Sequence, residues 1–251
     1  MINLDLNLPT FREIKTAKLE AKREKARELK RLYESARVNR LTSDWVTQPT
    51  SGNKEIRDSL RVLRARSRQL ARDDDYIKKF LSMCKSNIVG PKGIQLQVKA
   101  KDADEIDRTL EKIVEEKFTE WSHKENASAS GKLSWLDAQR LFVQSLARDG
   151  EVLIRKVYSK TNPFGFSLKF INVDWLDETF NAVLGNGNRV IMSVEVNEFD
   201  KPLAYYLTPP SSDFLYSNYP KIKHRTRVPA TEMIHAFLIY EDEEQTRGVP
   251  W

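Results

Sequence analysis

The stretch RDGEVLIRKVY, residues 148–158, lies where the pattern of apolar residues along the chain changes. Before it, apolar residues recur at every third or fourth position, which is typical of one face of a helix. From Glu151 onward, the pattern shifts to the alternation that is typical of half-buried strands. Asp149 and Gly150 separate the two patterns and form a turn signal. Because helices come first and strands later, the sequence predicts an α+β fold.

A basic helix is predicted upstream of that turn, starting at about Ile56 and containing LRVLRARSRQLAR at 60–72. Helical spacing predicts one buried apolar stripe, which runs on into a second segment over about 75–86. The stripe consists of Ile56, Leu60, Leu63, Leu70, Ile77, Leu81 and Cys84. A row of arginines with the same spacing is predicted to flank it: Arg57, Arg61, Arg64, Arg68 and Arg72. The Asp-rich break at 73–75 offers a cap for the second segment.

Three more elements are predicted before the turn. The glycines and proline of NIVGPKG, residues 87–93, end the second segment, and IQLQVKA at 94–100 alternates as a strand does. The next helix has its apolar residues on one side: Ile106, Leu110, Ile113, Val114, Phe118 and Trp121. Ser134, with Asp137 three residues later, predicts the N-cap of a helix that runs to about Arg148.

Strands are predicted after the turn. The segments with this pattern are EVLIRKVY, FSLKFIN, NRVIMSVEV, LAYYLT and, at the end, MIHAFLIY. The sequence GNGN at 185–188 predicts a hairpin turn. Residues 209–228 predict a long irregular loop, whose aromatic and basic residues at 214–227 could stack single-stranded bases. Local packing of its tyrosines is the interpretation that we favour.

The front of the chain, residues 1–54, is predicted to be a basic helical extension and linker, separate from an α+β region at 55–251. Residues 11–40 are rich in good helix formers but have few large apolar residues, so we expect an exposed or partner-dependent helix that is disordered in isolation. Residues 41–54 collect Thr, Ser, Pro, Gly and Asn, which is typical of a connector.

Charge and cysteine content limit the function classes. Residues 1–72 carry 18 Lys and Arg against 9 Asp and Glu, whereas the remaining residues carry 24 against 27. A polyanion or an acidic partner is therefore expected at the front of the chain, although a solvated helix face has the same charge. The single cysteine, Cys84, excludes an internal disulfide. The sequence has neither a signal peptide nor about 18 consecutive apolar residues, so we expect a soluble intracellular protein without a membrane anchor.

Motifs that resemble catalytic sites are incomplete. Ser82 and Lys85 have the S-x-x-K spacing, but the companion motifs are out of order or lack a glycine. The histidines, at His123, His224 and His235, have no ligand spacing, and His235 is predicted to be structural. The acidic group DWLDE at 174–178 is better interpreted as a loop than as a magnesium site. No phosphate-binding glycine motif occurs, so nucleotide chemistry has no support. Taken together, these motifs lead us to predict no enzymatic activity, no cofactor and no metal.

Four segments keep one order along 55–251: LRARSRQLARDDDYIKKFLSMCKSNIVGPKGIQLQ, RDGEVLIRKVY, SVEVNEFDKPLAYYLT, and VPATEMIHAF followed by EQTRGVPW. As a set they resemble the portal proteins of lambda-like tailed bacteriophages. The residues that match that family's N-x-V-G-x-G and R-G-x-P-W phrases are Asn87, Gly90, Gly93, Arg247, Gly248 and Pro250. Departures from the family pattern are the Asp-rich break at 73–75, Pro91 and Lys201.

The resemblance implies a structural subunit of a homo-oligomeric ring, a dodecamer, at one capsid vertex. Such a ring forms the channel for DNA packaging and genome ejection, and terminase, head-completion proteins and capsid proteins dock on it. The resemblance places the protein in the virion, with assembly in the host cytoplasm. It also implies that the chain is the front, wing-like part of a portal protein, truncated before the remaining domains.

The arginine row has two interpretations. A ring needs two different faces on each subunit, so the arginines could pair with carboxylates of a neighbour or of their own domain. Acidic partners could come from Asp102, Asp104, Glu105, Asp107 or the EDEE run at 241–244. Alternatively, the arginines bind DNA phosphates, and the protein is a basic monomeric nucleic-acid-binding protein. We favour pairing between proteins, because dense phosphate contacts would retard DNA that must slide.

Overall fold

The computed structural model describes residues 15–23, 40, 43–44, 49–102, 105–160, 162–208 and 225–251, with the side chains of 101–106 left undescribed. The chain divides into two units, Met1–Pro49 and Thr50–Trp251. In the first unit, residues 15–23 form helix α1, and most of the predicted basic extension lies outside the described residues. All further elements belong to the second unit.

The helices precede the main strands, as predicted. They are α2 (Gly52–Asp73), α3 (Asp75–Cys84) with a π-helical turn at Lys85–Val89, α4 (Arg108–Trp121), α5 (Lys124–Ala127) and α6 (Trp135–Asp149). The Asp-rich break is confirmed, because the carboxylate of Asp74 accepts a hydrogen bond from the backbone N–H of Ile77 at 2.9 Å. Helix α2 begins four residues before the predicted start, where the carbonyl of Ser51 accepts from the backbone N–H of Lys54.

The predicted boundaries of α6 are confirmed. Ser134 and Asp137 form a capping box, in which each side chain accepts from the backbone N–H of the other residue. The helix ends at Gly150, whose φ of 85° lies in the left-handed region and whose N–H donates to the carbonyl of Leu146. Glycine adopts this conformation without the steric cost that a β-carbon imposes, so the turn follows from the sequence.

The predicted strand at 94–100 is wrong. Both the N–H and the carbonyl of Ile94 pair with the side-chain amide of Gln139, and the N–H of Val98 donates to the carboxylate of Glu115. Helix side chains therefore satisfy backbone groups that a sheet would otherwise have paired. Strand pairing begins only with the short ladder of β1 (Lys101–Asp102) and β2 (Glu105–Ile106).

Two antiparallel sheets follow α6. The first contains β3 (Glu151–Tyr158), β4 (Phe166–Ile171) and β10 (Met233–Phe237), in the order β10-β3-β4. The second runs in sequence order through β5 (Ala182–Val183), β6 (Arg189–Ile191), β7 (Val194–Val196), β8 (Pro202–Leu207) and β9 (Thr226–Pro229). The hairpin turn at 185–188 is confirmed between β5 and β6. The single strand predicted for NRVIMSVEV is instead β6 and β7, because Met192 and Ser193 both have positive φ and turn the chain.

Three apolar clusters hold the second unit together. One lies between the two sheets, where Leu153 of β3 meets Val194 and Tyr205. In the second cluster, the opposite face of β3 and β4 packs against α4 and α6, and the aromatic residues there include Trp121. In the third, Ile56 and Leu60 of α2 contact Met192 at the β6–β7 turn. These contacts place α2 against the β6–β7 turn of the second sheet. Together, the helices and sheets confirm the α+β fold.

The apolar stripe predicted for α2 and α3 is only partly buried. Ile56, Leu60 and Leu81 are buried, but Leu63 is 41% exposed and Leu70 is 49% exposed. Arg64, only 3% exposed, continues the face of Ile56 and Leu60 at the helical spacing of four. A similar correction applies to α4, where Trp121 is buried while Leu110, Ile113 and Val114 are exposed.

Candidate functional site

A buried carboxylate lies beneath the arginine-bearing helix. Glu151, the first residue of β3, has no exposed surface, and neither has Arg247 from the end of the chain. Arg247 donates to both carboxylate oxygens of Glu151, at 2.9 Å from Nε and 2.5 Å from its terminal nitrogen. On other sides of Glu151 lie Nη2 of Arg64 at 2.6 Å and Nε2 of His235 at 2.9 Å. Residues from α2, β3, β10 and the end of the chain therefore meet at one carboxylate.

Two further carboxylates extend this cluster: Asp174, whose side chain is 41% exposed, and Asp149, whose side chain is buried. Arg64 also donates to Asp174 at 3.0 Å. Arg68 contacts two carboxylates, Asp174 at 2.5 Å and Asp149 at 2.7 Å. Three arginines therefore alternate with three carboxylates, and each guanidinium has an opposite charge in contact. Removal of charges from water is costly unless they are paired and hydrogen-bonded in this way. We call these residues the Glu151 cluster: Arg64, Arg68, Asp149, Glu151, Asp174, His235 and Arg247.

Arg247 also ties the two sheets together. Its Nη1 donates to the carbonyl of Leu176 at 3.2 Å and to that of Met192 at 3.1 Å. Met192 has a φ of 47°, which is costly for a residue with a side chain, and the buried hydrogen bond to its carbonyl helps to hold this turn. A lysine could not make this set of contacts, because only a guanidinium offers five donors in a planar fork.

The cluster changes the acidity of its carboxylates. Burial by itself raises the pKa of Glu151, but the charge of Arg247 and the hydrogen bond from His235 outweigh it and hold that pKa well below its usual range. The pKa of Asp174 is likewise lowered, because contacts with Arg68 and Arg64 outweigh its burial. Burial and the charge of Glu151 raise the pKa of Tyr205 to about 12. The carboxylates of Glu151 and Asp174 are therefore ionised in the folded chain at neutral pH.

These shifts predict a loss of stability in acid. Both pKa values are lower in the folded than in the unfolded chain, so the ionised carboxylates contribute stability that is present above the unfolded values of 4.5 for Glu151 and 3.8 for Asp174. That contribution is lost as the pH falls through the folded pKa values. We expect the urea midpoint to be level near neutral pH and to fall below pH 4.5. A Glu151→Gln variant is the control and is expected to show a shallower fall; an unchanged midpoint in the parent chain at pH 3 contradicts the prediction.

The end of the chain fits closely against the turn after α6. A β-carbon on Gly248 would lie 2.1 Å from the carbonyl oxygen of Gly150, and one on Gly150 would lie 2.2 Å from the carbonyl carbon of Val249. The N–H of Trp251 donates to the carbonyl of Ala147 at 3.1 Å. Residues 247–251 are therefore packed against α6 and β3, with glycine on both sides of the contact.

The other motif residues lie along α6, with Gly93 near its N-terminal half and Pro250 near its C-terminal end. Asn87 is exposed in the π-helical turn, and Gly90 ends that turn with a φ of 73°. Gly93 has a φ of 76°, and a β-carbon there would lie 2.8 Å from both Leu136 and Gln139 of α6. Pro250 is half-buried near the C-terminal end of α6. The structure thus shows a geometric need for Gly93 and Gly248 but none for Asn87.

The five arginines of the predicted row do not share one environment. Arg64 is buried and Arg68 half-buried, and both pair within the chain, which removes Arg64 from the surface candidates. Arg57 pairs with its neighbour Asp58 at 2.9 Å. Arg61 and Arg72 are exposed and make no ion pair with any residue that the structure describes. The row therefore divides into internal and external members.

The residues that imitate catalytic motifs make other contacts in the structure. Lys85 donates to Gln144 rather than to Ser82, which is exposed. Asp174 belongs to the Glu151 cluster, and Asp177 accepts from the N–H of Thr179. His235 is held by Glu151, as expected of a structural histidine, while His224 lies outside the described residues. Within the described part of the chain, no three His, Cys, Asp or Glu side chains are grouped to hold a metal ion.

Among the described helices, none combines the length and the apolar character that a membrane span requires.

Comparison with known proteins places the chain among phage portal proteins. Residues 38–251 match the family model described as "Phage portal protein, lambda family". The chain therefore belongs to the lambda family of phage portal proteins, and its helices and antiparallel sheets form an α+β portal fragment.

A similar protein is the "Probable portal protein" of Halomonas phage phiHAP-1. It is 35% identical over 228 residues, which cover 89% of this chain and 43% of the relative. The chain thus spans less than half the length of that curated relative. The match supports a phage portal role for the chain.

Proposed function

We propose that this chain is part of a structural subunit of a phage portal ring. The observation that carries the proposal is the family match over residues 38–251. In this proposal, about twelve subunits form a closed ring at the capsid vertex, since heterologous interfaces generate rings when the rotation closes. DNA enters and leaves through the channel, and terminase, head-completion and capsid proteins dock on the ring. The protein is then found in the virion and, during assembly, in the host cytoplasm, and it has no catalytic role.

The Glu151 cluster has a stabilising role in this proposal. Its members come from segments that are far apart in sequence, so the cluster fixes α2 and the end of the chain on the two sheets. Such fixing gives the outer faces of α2 a defined orientation. An interface with defined orientation is what a ring requires, because a small error in angle accumulates around it.

We assign subunit contacts to the external arginines, Arg57, Arg61 and Arg72. Arg61 and Arg72 bear charges with no partner in the described chain, and an arginine fork can bind a neighbour's carboxylate bidentately. Contacts with DNA are the second candidate, favoured by the excess of Lys and Arg in residues 1–72. Pairing between proteins remains the better assignment, because DNA has to slide through a portal.

Replacing Arg61 and Arg72 together by Gln is expected to weaken subunit association about tenfold and to leave DNA affinity unchanged. The product of the whole natural reading frame is the sample, and sedimentation velocity over a range of concentrations is the measurement. The control replaces Lys112 and Lys117 by Gln, which removes the same charge from exposed positions of α4. If assembly is unchanged while DNA affinity and its salt dependence both fall, Arg61 and Arg72 contact DNA rather than a neighbouring subunit.

A further inference from the structure

An apolar groove runs between α2, α3 and α6. It has a volume of about 450 Å³, and its lining includes Leu63, Arg66, Leu70, Phe80, Pro250 and Trp251. Leu63, Leu70, Phe80 and Trp251 are between 41% and 49% exposed. Arg66 is exposed at its rim and makes no hydrogen bond or ion pair with any described residue. Within the part of the chain that the structure describes, the groove therefore combines exposed apolar surface with an unpaired positive charge.

A second surface has the complementary character. Residues 238–244, LIYEDEE, form what we call the acidic loop, in which Leu238 is 42%, Ile239 60% and Tyr240 54% exposed. The four acidic residues that follow, 241–244, are exposed and make no ion pair within the described chain. Apolar side chains thus stand directly beside unpaired negative charges, the opposite charge to that of the groove.

The acidic loop has a fixed shape. The buried side chain of Gln245 accepts from the N–H of Tyr240 at 2.8 Å and donates to the carbonyl of Leu238 at 3.0 Å. Asn53 donates to the carbonyl of Glu244 at 2.6 Å and so ties the loop to the start of α2. A loop that is already ordered loses little conformational entropy when it binds, which favours its use as a docking element.

The two surfaces lie toward opposite ends of α2. The acidic loop is attached at Asn53, whereas Leu70 lies 17 residues further along the helix, about 26 Å at 1.5 Å per residue. A chain cannot therefore place its own loop in its own groove. Two different, complementary surfaces on one chain are what a heterologous, head-to-tail contact requires.

We infer that the α2–α3 groove of one copy of this chain receives the acidic loop of a second copy. Leu238, Ile239 and Tyr240 enter the apolar part of the groove, and the carboxylates of 241–244 meet Arg66. This inference rests on the proposed function, because it specifies a contact between adjacent ring subunits. Charge complementarity selects a second copy over a basic or neutral partner.

Cysteine cross-linking tests this contact. The product of the whole reading frame carries Cys84→Ser, to remove the native thiol, together with Leu70→Cys and Ile239→Cys. A disulfide needs Cα atoms within about 7 Å, so the spacing along α2 prevents a link inside one chain. After mild oxidation, a non-reducing gel is expected to show a ladder that extends beyond dimers. The matched control pairs Leu70→Cys with Val183→Cys, a substitution at a residue that is 81% exposed on β5. On the same gel, this control is expected to run as a single chain without cross-links.

Charge reversal provides a second measurement. Arg66→Glu in the cross-linking background is expected to lower the cross-linked fraction about tenfold, and adding Glu243→Lys with Glu244→Lys is expected to restore much of it. Circular dichroism and urea unfolding confirm that these exposed substitutions leave the fold intact.

The outcomes separate this inference from the proposed function. If microscopy shows rings but Leu70→Cys does not react, another segment fills the groove. This result overturns the inference and leaves the portal assignment intact. Cross-linking that stops at dimers shows a symmetric pair and overturns the head-to-tail contact. A protein that forms neither rings nor cross-links contradicts both.

Discussion

Glu151→Gln is expected to lower the free energy of unfolding by about 3–5 kcal/mol, the usual cost of breaking a buried ion pair from one side. The substitution keeps the size of the side chain but removes its charge. Arg247 has no exposed surface and has no other carboxylate partner among the described residues, so its charge becomes uncompensated. Arg64 loses one of its two carboxylates and keeps Asp174. Urea unfolding at pH 7, extrapolated linearly to water, measures the change.

Glu195→Gln is the matched control for that experiment. Glu195 is also buried and also bonded to an arginine, Arg227, at 2.8 Å. However, the side chain of Arg227 is 49% exposed and returns to water when the pair is lost. We therefore expect a smaller loss, about 1.5–3 kcal/mol, the range for a hydrogen bond to a charged group. Equal losses in the two variants, or a loss below about 1 kcal/mol for Glu151→Gln, contradict the stabilising role of the cluster.

Gly248→Ala is expected to displace residues 247–251 from the domain and to cost at least about 4 kcal/mol, a loss reserved for severe steric or charge defects. The added β-carbon would lie 2.1 Å from the carbonyl oxygen of Gly150 and 2.6 Å from the β-carbon of Phe237. Neither neighbour is the end of a flexible side chain, so the backbone has to move. That movement also withdraws Arg247 from Glu151.

Trypsin cleavage followed by intact mass measurement detects this displacement. Arg247 is fully buried, so we expect the parent chain to resist cleavage after it and the variant to be cut there rapidly. Gly185→Ala is the control, because Gly185 lies in open space without a positive φ. Gly131→Ala adds the cost of a left-handed φ of 67° without any clash, about 1–2 kcal/mol. A Gly248→Ala variant that behaves like Gly185→Ala contradicts the close packing of the chain end.

Elements with strong local signals could be predicted from the sequence. The Asp-rich break, the capping box at Ser134, the turn at Gly150 and the hairpin at 185–188 each depend on residues within a few positions of one another. The segment at 94–100 could not be predicted in this way. Its alternation suggests a strand, but the groups that satisfy its backbone are Gln139 and Glu115, which come from helices later in the chain.

The candidate site was predicted only in part. The arginine row, the motif glycines and Arg247 were identified by spacing and by resemblance, but the buried member of the row was not. Charged side chains are normally exposed, so periodicity assigned burial to Leu63 rather than to Arg64. Arg64 is buried because Glu151, 87 residues away, supplies its counter-charge. No local pattern identifies such a partner, although Glu151 directly follows the Asp149-Gly150 turn in RDGEVLIRKVY, one of the segments that resemble the portal family.

Negative-stain electron microscopy of the product of the whole natural reading frame tests the central claim most directly. That claim is that this chain is part of a portal ring subunit. The account predicts closed rings of uniform subunit number with a central channel, and an Arg61→Gln, Arg72→Gln variant that forms fewer of them at the same concentration. A protein that stays monomeric at high concentration, with no rings on the grid, contradicts it.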